Sequence, residues 1–247
     1  MRMRGFTLIE MVVTMVVGAI LVLGIAGFVQ LGTQGYADSV DRQRLQTQAK
    51  FVIAKMTREV RHAVPNIFAE DLANNCVKFY PIIDYGFYAV AGDDLLFIIG
   101  DTSASLSSIK NKRLLINPTQ TLLPSEDLSN VANSFDLASA VQVSPGVFAL
   151  PNQATKLVGG SVVHRHYITD EDRRVTYCVS GNRVTRQVGP NGEALPLTDR
   201  DAVSVAGDFR YQPASVQHNG IVHMDLGFTQ AGETTRYRQD VQVLNVP

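Results

Sequence analysis

Cysteine is almost missing from this chain. Its 247 residues hold two, Cys76 and Cys178, with no CxxC pair and no spacing of the zinc type, which removes the common metal-binding and redox motifs. Tryptophan is absent, and charge of one sign is never in excess: 22 basic residues face 23 acidic ones. Without a basic stripe, nucleic-acid binding is not expected. There is no GxSxG elbow, no glycine-rich phosphate loop, no internal repeat and no low-complexity tract. Proline does not occur before Pro65, and no residue from Met11 to Val29 is charged.

Those last two absences define the N-terminal part. MVVTMVVGAILVLGIAGFV is 19 uncharged residues, long enough to cross the hydrocarbon core of a bilayer as a helix. Arg2 and Arg4 precede it, so the positive-inside rule places the N-terminus in the cytoplasm and exports the chain beyond Leu31. Past the span, apolar residues recur at Tyr36, Val40, Leu45, Ala49, Val52, Met56 and Val60, in steps of three to five. That is an amphipathic helical stripe suited to packing on a core. Pro65 disfavours helix at Val64, which predicts an end near Ala63. A helix from Phe6 to Ala63 would be about 87 Å long.

From Asn66 onward, short apolar runs alternate with turn residues. Leu95–Ile99 reads as a buried strand, and Val141–Val143 and Val147–Leu150 flank a Ser-Pro-Gly turn. The stretch RRVTYCVSGNRVTRQVG reads as a β-hairpin turning at Ser180-Gly181-Asn182. Val222, Met224, Leu226 and Phe228 alternate with polar residues, and the last strand carries Tyr237, Val241 and Val243 on one face. These patterns predict an antiparallel sheet whose core includes the helix stripe. Thr102–Lys112 reads as a Ser-rich loop, and Thr119–Ser139 as loop with a short helix. With apolar residues at 45% and charged residues at 18%, a packed core is expected and disorder is not.

One residue resists the membrane reading. Glu10 stands just inside the apolar run, where a carboxylate costs a few kcal/mol. Gly5-Phe6-Thr7-Leu8-Ile9-Glu10, behind a short basic leader, resembles the cleavage and methylation motif of type IV prepilins and type II secretion pseudopilins. The resemblance implies cleavage between Gly5 and Phe6 and N-methylation of Phe6 by a prepilin peptidase. It also implies that Glu10 pairs with the N-terminal amine of a neighbouring subunit during assembly. The expected division is a leader at 1–5, a transmembrane helix at 6–31, an amphipathic continuation at 32–64 and a β-rich head at 65–247. The fold class is α+β, a long N-terminal helix packed on an antiparallel sheet.

The hairpin with its tyrosine strand and Arg186 is similar to the larger minor pilins and J-type pseudopilins. The C-terminal strand followed by Asn245-Val246-Pro247 is similar to MshO-type minor pilins of mannose-sensitive haemagglutinin (MSHA) pili. The implied role is a minor subunit that acts in pilus assembly or initiation at or near the tip. Its partners would be prepilin peptidase, other major and minor pilins and, before assembly, the inner membrane. Removing MRMRG would leave a net charge of about −3. A J-type pseudopilin is the alternative, and a signal-anchored periplasmic enzyme or binding protein the reading from another class.

In an exported head the two cysteines suggest one disulfide, closing a loop of about 100 residues, although two buried thiols fit the same count. His164 and His166 could point one way along a strand, but with no third ligand they read as surface histidines. Asp170-Glu171-Asp172 lacks the spacing of a calcium loop and reads as a solvated turn. No catalytic, cofactor or metal residue is assigned.

Overall fold

The computed structural model describes residues 7–199, 203–215 and 218–244. Gly5 and Phe6 of the processing motif and the tail Asn245-Val246-Pro247 lie outside the described residues.

A single helix, α1, runs over Leu8–Arg61. Thr7 caps its start, its hydroxyl accepting from the backbone N–H of Glu10 at 3.4 Å. Arg58 and Arg61 sit in the last turn, where cations suit the helix dipole. The helix stops two residues before the expected Ala63, because Ala63 already belongs to a strand. Only His62 separates helix from sheet.

The head then follows as β1 (Ala63–Asp71), β2 (Cys76–Pro81), β3 (Asp84–Ala91) and β4 (Asp94–Ile99). A helical turn, α2 (Leu106–Ile109), precedes β5 (Arg113–Ile116), β6 (Ser134–Asp136), β7 (Val141–Ser144) and β8 (Val147–Leu150). Next come β9 (Arg165–Thr169), β10 (Val175–Ser180), β11 (Arg183–Val188) and β12 (Leu195–Pro196). The chain closes with β13 (Ser204–Gln212), β14 (Ile221–Gln230) and β15 (Glu233–Gln242). The Ser-rich stretch therefore holds a helical turn. The segment before Ser139 holds two 3₁₀ turns around a short strand.

The strands form three antiparallel sheets rather than one. A five-stranded sheet has the order β1-β2-β10-β11-β12, a three-stranded one β13-β14-β15, and a seven-stranded one β6-β5-β9-β3-β4-β8-β7. Every strand of the seven-stranded sheet lies in sequence between β2 and β10, which are themselves neighbours in the five-stranded sheet. The larger sheet is thus an insertion into the smaller one. The β10–β11 turn needs positive φ at both Gly181 (56°) and Asn182 (60°), which a two-residue hairpin of this hand requires.

The helix stripe is seated from Leu45 onward. Leu45, Ala49, Val52, Met56 and Val60 are buried in one core with Phe79 and Tyr177 of the five-stranded sheet and Met224, Leu226 and Phe228 of the three-stranded sheet. Tyr36 and Val40, at the same helical spacing, remain exposed. The stripe is continuous in sequence, but the head ends before it does.

His166 is a correction to the surface reading. Its ring is fully buried in β9, its Nε2–H donates to the Ile98 carbonyl at 2.9 Å, and Nδ1 has no partner. His164 lies outside the strand at φ 54° with its ring beside Tyr88, while the His166 ring meets Phe97 edge-on. Gly86 makes room for the ring, since a Cβ there would lie 1.8 Å from the Ile98 oxygen and 2.9 Å from Nε2. Burial holds the imidazole neutral, with its pKa lowered to about 4. Between pH 6.5 and about 4 the unfolded chain binds a proton here that the folded chain does not. Stability should therefore fall with pH across that window, by up to about 3 kcal/mol. His166→Gln should flatten this part of a pH–stability curve measured by urea unfolding. An unchanged slope would assign the acid sensitivity to other groups.

Candidate functional site

The part of α1 that the head leaves bare is the candidate site. From Leu8 to Leu31 its large apolar side chains are all exposed, and α1 is long and apolar enough to cross a membrane. Glu10 is the third residue of α1 and is exposed at its start. Among the described residues its carboxylate has no ion-pair partner. An acidic group in the first turn suits the helix dipole, but exposure on an apolar arm leaves most of its charge to be met from outside. Among the described residues, the first side-chain hydrogen bonds between the head and α1 come at Asp41 and Arg42.

At that level the β14–β15 turn grips the helix. The Arg42 guanidinium donates to both oxygens of Glu233, and the Gln230 side-chain amide donates to Asp41 at 3.3 Å. Both charges of the Arg42–Glu233 pair are well exposed, so the pair fixes position more than it stabilises.

The second hold is nearer the end of α1 and is better shielded. Glu59 accepts from the Tyr177 hydroxyl at 2.8 Å and from Arg186 Nε at 3.0 Å, and Lys55 Nζ lies 3.1 Å away. Tyr177 and Arg186 face each other across β10 and β11, so the hairpin presents both to one helical carboxylate. Burial alone would raise the Glu59 carboxyl, but the bonds from Arg186, Tyr177 and Lys55 outweigh it and hold it below the ordinary range. The same burial, with Glu59 beside it, pushes the Tyr177 phenol well up.

Cys76 and Cys178 form a disulfide. They are a directly opposed pair of β2 and β10, with Cα atoms 4.1 Å apart. The bond from Val179 N–H to Asn75 C=O marks theirs as a non-hydrogen-bonded pair, the closer of the two antiparallel kinds. The bridge lies along a groove of about 440 Å³ on the face of the five-stranded sheet away from α1, beside Lys78 and Arg174. Lys78 is buried and donates to the carbonyls of Pro124 and Glu126. Burial, with Arg174 nearby, lowers its pKa.

The acidic triplet is not a simple solvated turn. Asp170 caps a 3₁₀ turn, while Glu171 accepts from the Tyr80 hydroxyl at 2.8 Å and from the Leu128 N–H at 3.3 Å. Glu171 thereby ties the loop before β6 to β2. The residue types alone carry no sign of that role, since its partners are 43 and 91 residues away. Among the described residues no group of three or more His, Cys, Asp or Glu side chains is placed to hold a metal ion.

Comparison with known families matches residues 1–26 to the prokaryotic N-terminal methylation motif. The match ends within α1 and leaves the head uncovered. It supports a type IV pilin- or pseudopilin-like protein anchored through its apolar helix. Neither a curated protein nor a solved structure gives a significant match to the chain.

Proposed function

We propose that this protein is a minor pilin of an MSHA-like type IV pilus. The observation that carries the reading is the bare arm of α1, uncharged from Met11 to Val29, which begins inside a methylation motif and ends in a firmly seated β-rich head. In this reading prepilin peptidase cuts between Gly5 and Phe6 and methylates the new amine of Phe6. The protein waits in the inner membrane with its N-terminus cytoplasmic and its head periplasmic. The arm then leaves lipid for a bundle of other pilin helices, and Glu10 meets the Phe6 amine of a neighbour. An unpaired charge in that bundle is costly and a paired one much less so, which makes the carboxylate a register mark between subunits. A head of this size fits best at or near the tip, where lateral neighbours are fewer. The role is structural and needs no catalysis by this chain.

The mass of the N-terminal peptide from protein isolated from its own host tests the processing step. A peptide that begins at methylated Phe6 is expected, and one that still bears MRMRG would overturn the reading. Glu10→Ala should leave cleavage unchanged but lower the amount found in sheared fibres on the order of tenfold, the equivalent of about 1.4 kcal/mol. Normal incorporation would remove the pairing role.

The same arm and head also suit a J-type pseudopilin of a type II secretion system. Capture of the neighbouring subunits by cross-linking separates the two, since pilus subunits and secretion subunits are different proteins.

A further inference from the structure

The seven-stranded sheet is apolar on both faces. One face is filled by Phe97, Phe148, Ile168 and the residues of α2 packed over it. The other is covered over β5 and β9, where Leu115 and Tyr167 meet Ile67 and Tyr80. Across β3, β4 and β7 its side chains are exposed or half-buried, and Ala149 of β8 is buried among them. The register makes two apolar rows there: Phe87 opposite Ile98 opposite Val147, and Ala89 opposite Leu96 opposite Ala149 opposite Val141. Tyr85 extends the patch on β3, two residues from Phe87. Tyr85 is 60% exposed, Phe87 51%, Ile98 44% and Val141 45%.

Scattered exposed apolar residues need no explanation, but two adjoining rows over four strands do. At roughly 200 Å² for a ring and somewhat less for an aliphatic side chain, these four residues expose on the order of 400 Å². The charges nearest the patch are engaged. Arg165 is hydrogen-bonded to the Tyr167 phenol, and Asp94 accepts from the Asn152 N–H at 3.0 Å.

We propose that this bare face is a docking surface for a second copy of the chain, sheet against sheet about a two-fold axis. Two such patches supply about 800 Å² of apolar area, close to the apolar share of a standard interface of about 1,600 Å². A flat sheet face is the natural cover for another, at about 10 Å separation. A two-fold contact uses the same patch on both chains, so it closes and leaves no apolar remainder. The contact is independent of the bare arm and of the filament reading.

The test uses the full chain in detergent, its mass read by light scattering. The wild type is expected to hold two chains per particle. Phe87→Lys with Ile98→Lys should give one chain, with dissociation favoured on the order of tenfold or more and the circular dichroism unchanged. If the double variant fails to fold, the milder Phe87→Ala is read for the same shift. A photo-crosslinking residue at position 87 in host cells should yield a dimer of this chain. A single-chain wild type, a dimer that survives both variants, or a crosslink to a different protein alone would overturn the proposal.

Discussion

Replacing Cys76 and Cys178 together by alanine should lower the stability of the head by about 4 kcal/mol. The two residues are 102 apart in sequence yet face each other across neighbouring strands. Their bond removes a long loop's closure entropy from the unfolded chain, and a loop of that length corresponds to about 4–5 kcal/mol in the chain-entropy treatment. The loop holds the whole seven-stranded sheet, so its loss loosens the neck at which that sheet joins β2 and β10. For a head of this size the melting temperature should drop by roughly 10 °C. Thermal unfolding of the full chain in detergent, for the native protein and the double variant, reads the effect. A drop of only a degree or two would mean that β2 and β10 are held by the sheet alone.

Glu59→Ala should cost about 3 kcal/mol at neutral pH. The change leaves Arg186, Lys55 and the Tyr177 hydroxyl facing one another with no anion between them. The side chain of Glu59 is still 18% exposed, so solvent takes up some of the loss and the low end of the range for broken buried pairs applies. The carboxyl is held below its ordinary range in the folded chain. Its contribution is therefore complete above the unfolded pKa of about 4.3 and is lost as pH falls through the lower folded value. Urea unfolding of the wild type and Glu59→Gln should differ at pH 7 and converge at strongly acid pH. Tyr177→Phe, which deletes one donor and no charge, should cost about 1 kcal/mol. A constant gap between wild type and Glu59→Gln at every pH would place the effect in packing instead of charge.

Local pattern made much of this protein legible. The helix follows from the lack of proline and from its stripe. The β10–β11 and β14–β15 hairpins follow from two-residue alternation around Gly-containing turns. The division into three sheets was not legible, because alternation reports which face of a strand is buried and not which sheet it joins. His166 misleads for a related reason. It alternates correctly with Tyr167, but its burial depends on Gly86 eighty residues earlier, a partner no periodicity can indicate. At the candidate site, the apolar run and Glu10 stand out in one short segment. Glu59, Tyr177 and Arg186 do not, since a charged helix residue and a charged strand residue each look like ordinary solvated positions. Only the fold brings them within 3.0 Å.

The disulfide also governs how the protein behaves as a mechanical link. A pull on the arm travels along α1 and enters the head at β1, with a single residue as connector. Cys76 and Cys178 are 102 positions apart, and the segment between them is closed on itself. Force passing from β2 to β10 crosses the sulfur bridge and bypasses that segment. About 350 Å of potential contour is withheld from extension. The seven-stranded sheet hangs beside the line of tension as a sealed side loop, so a load that strips α1 from its seat can still leave that sheet folded.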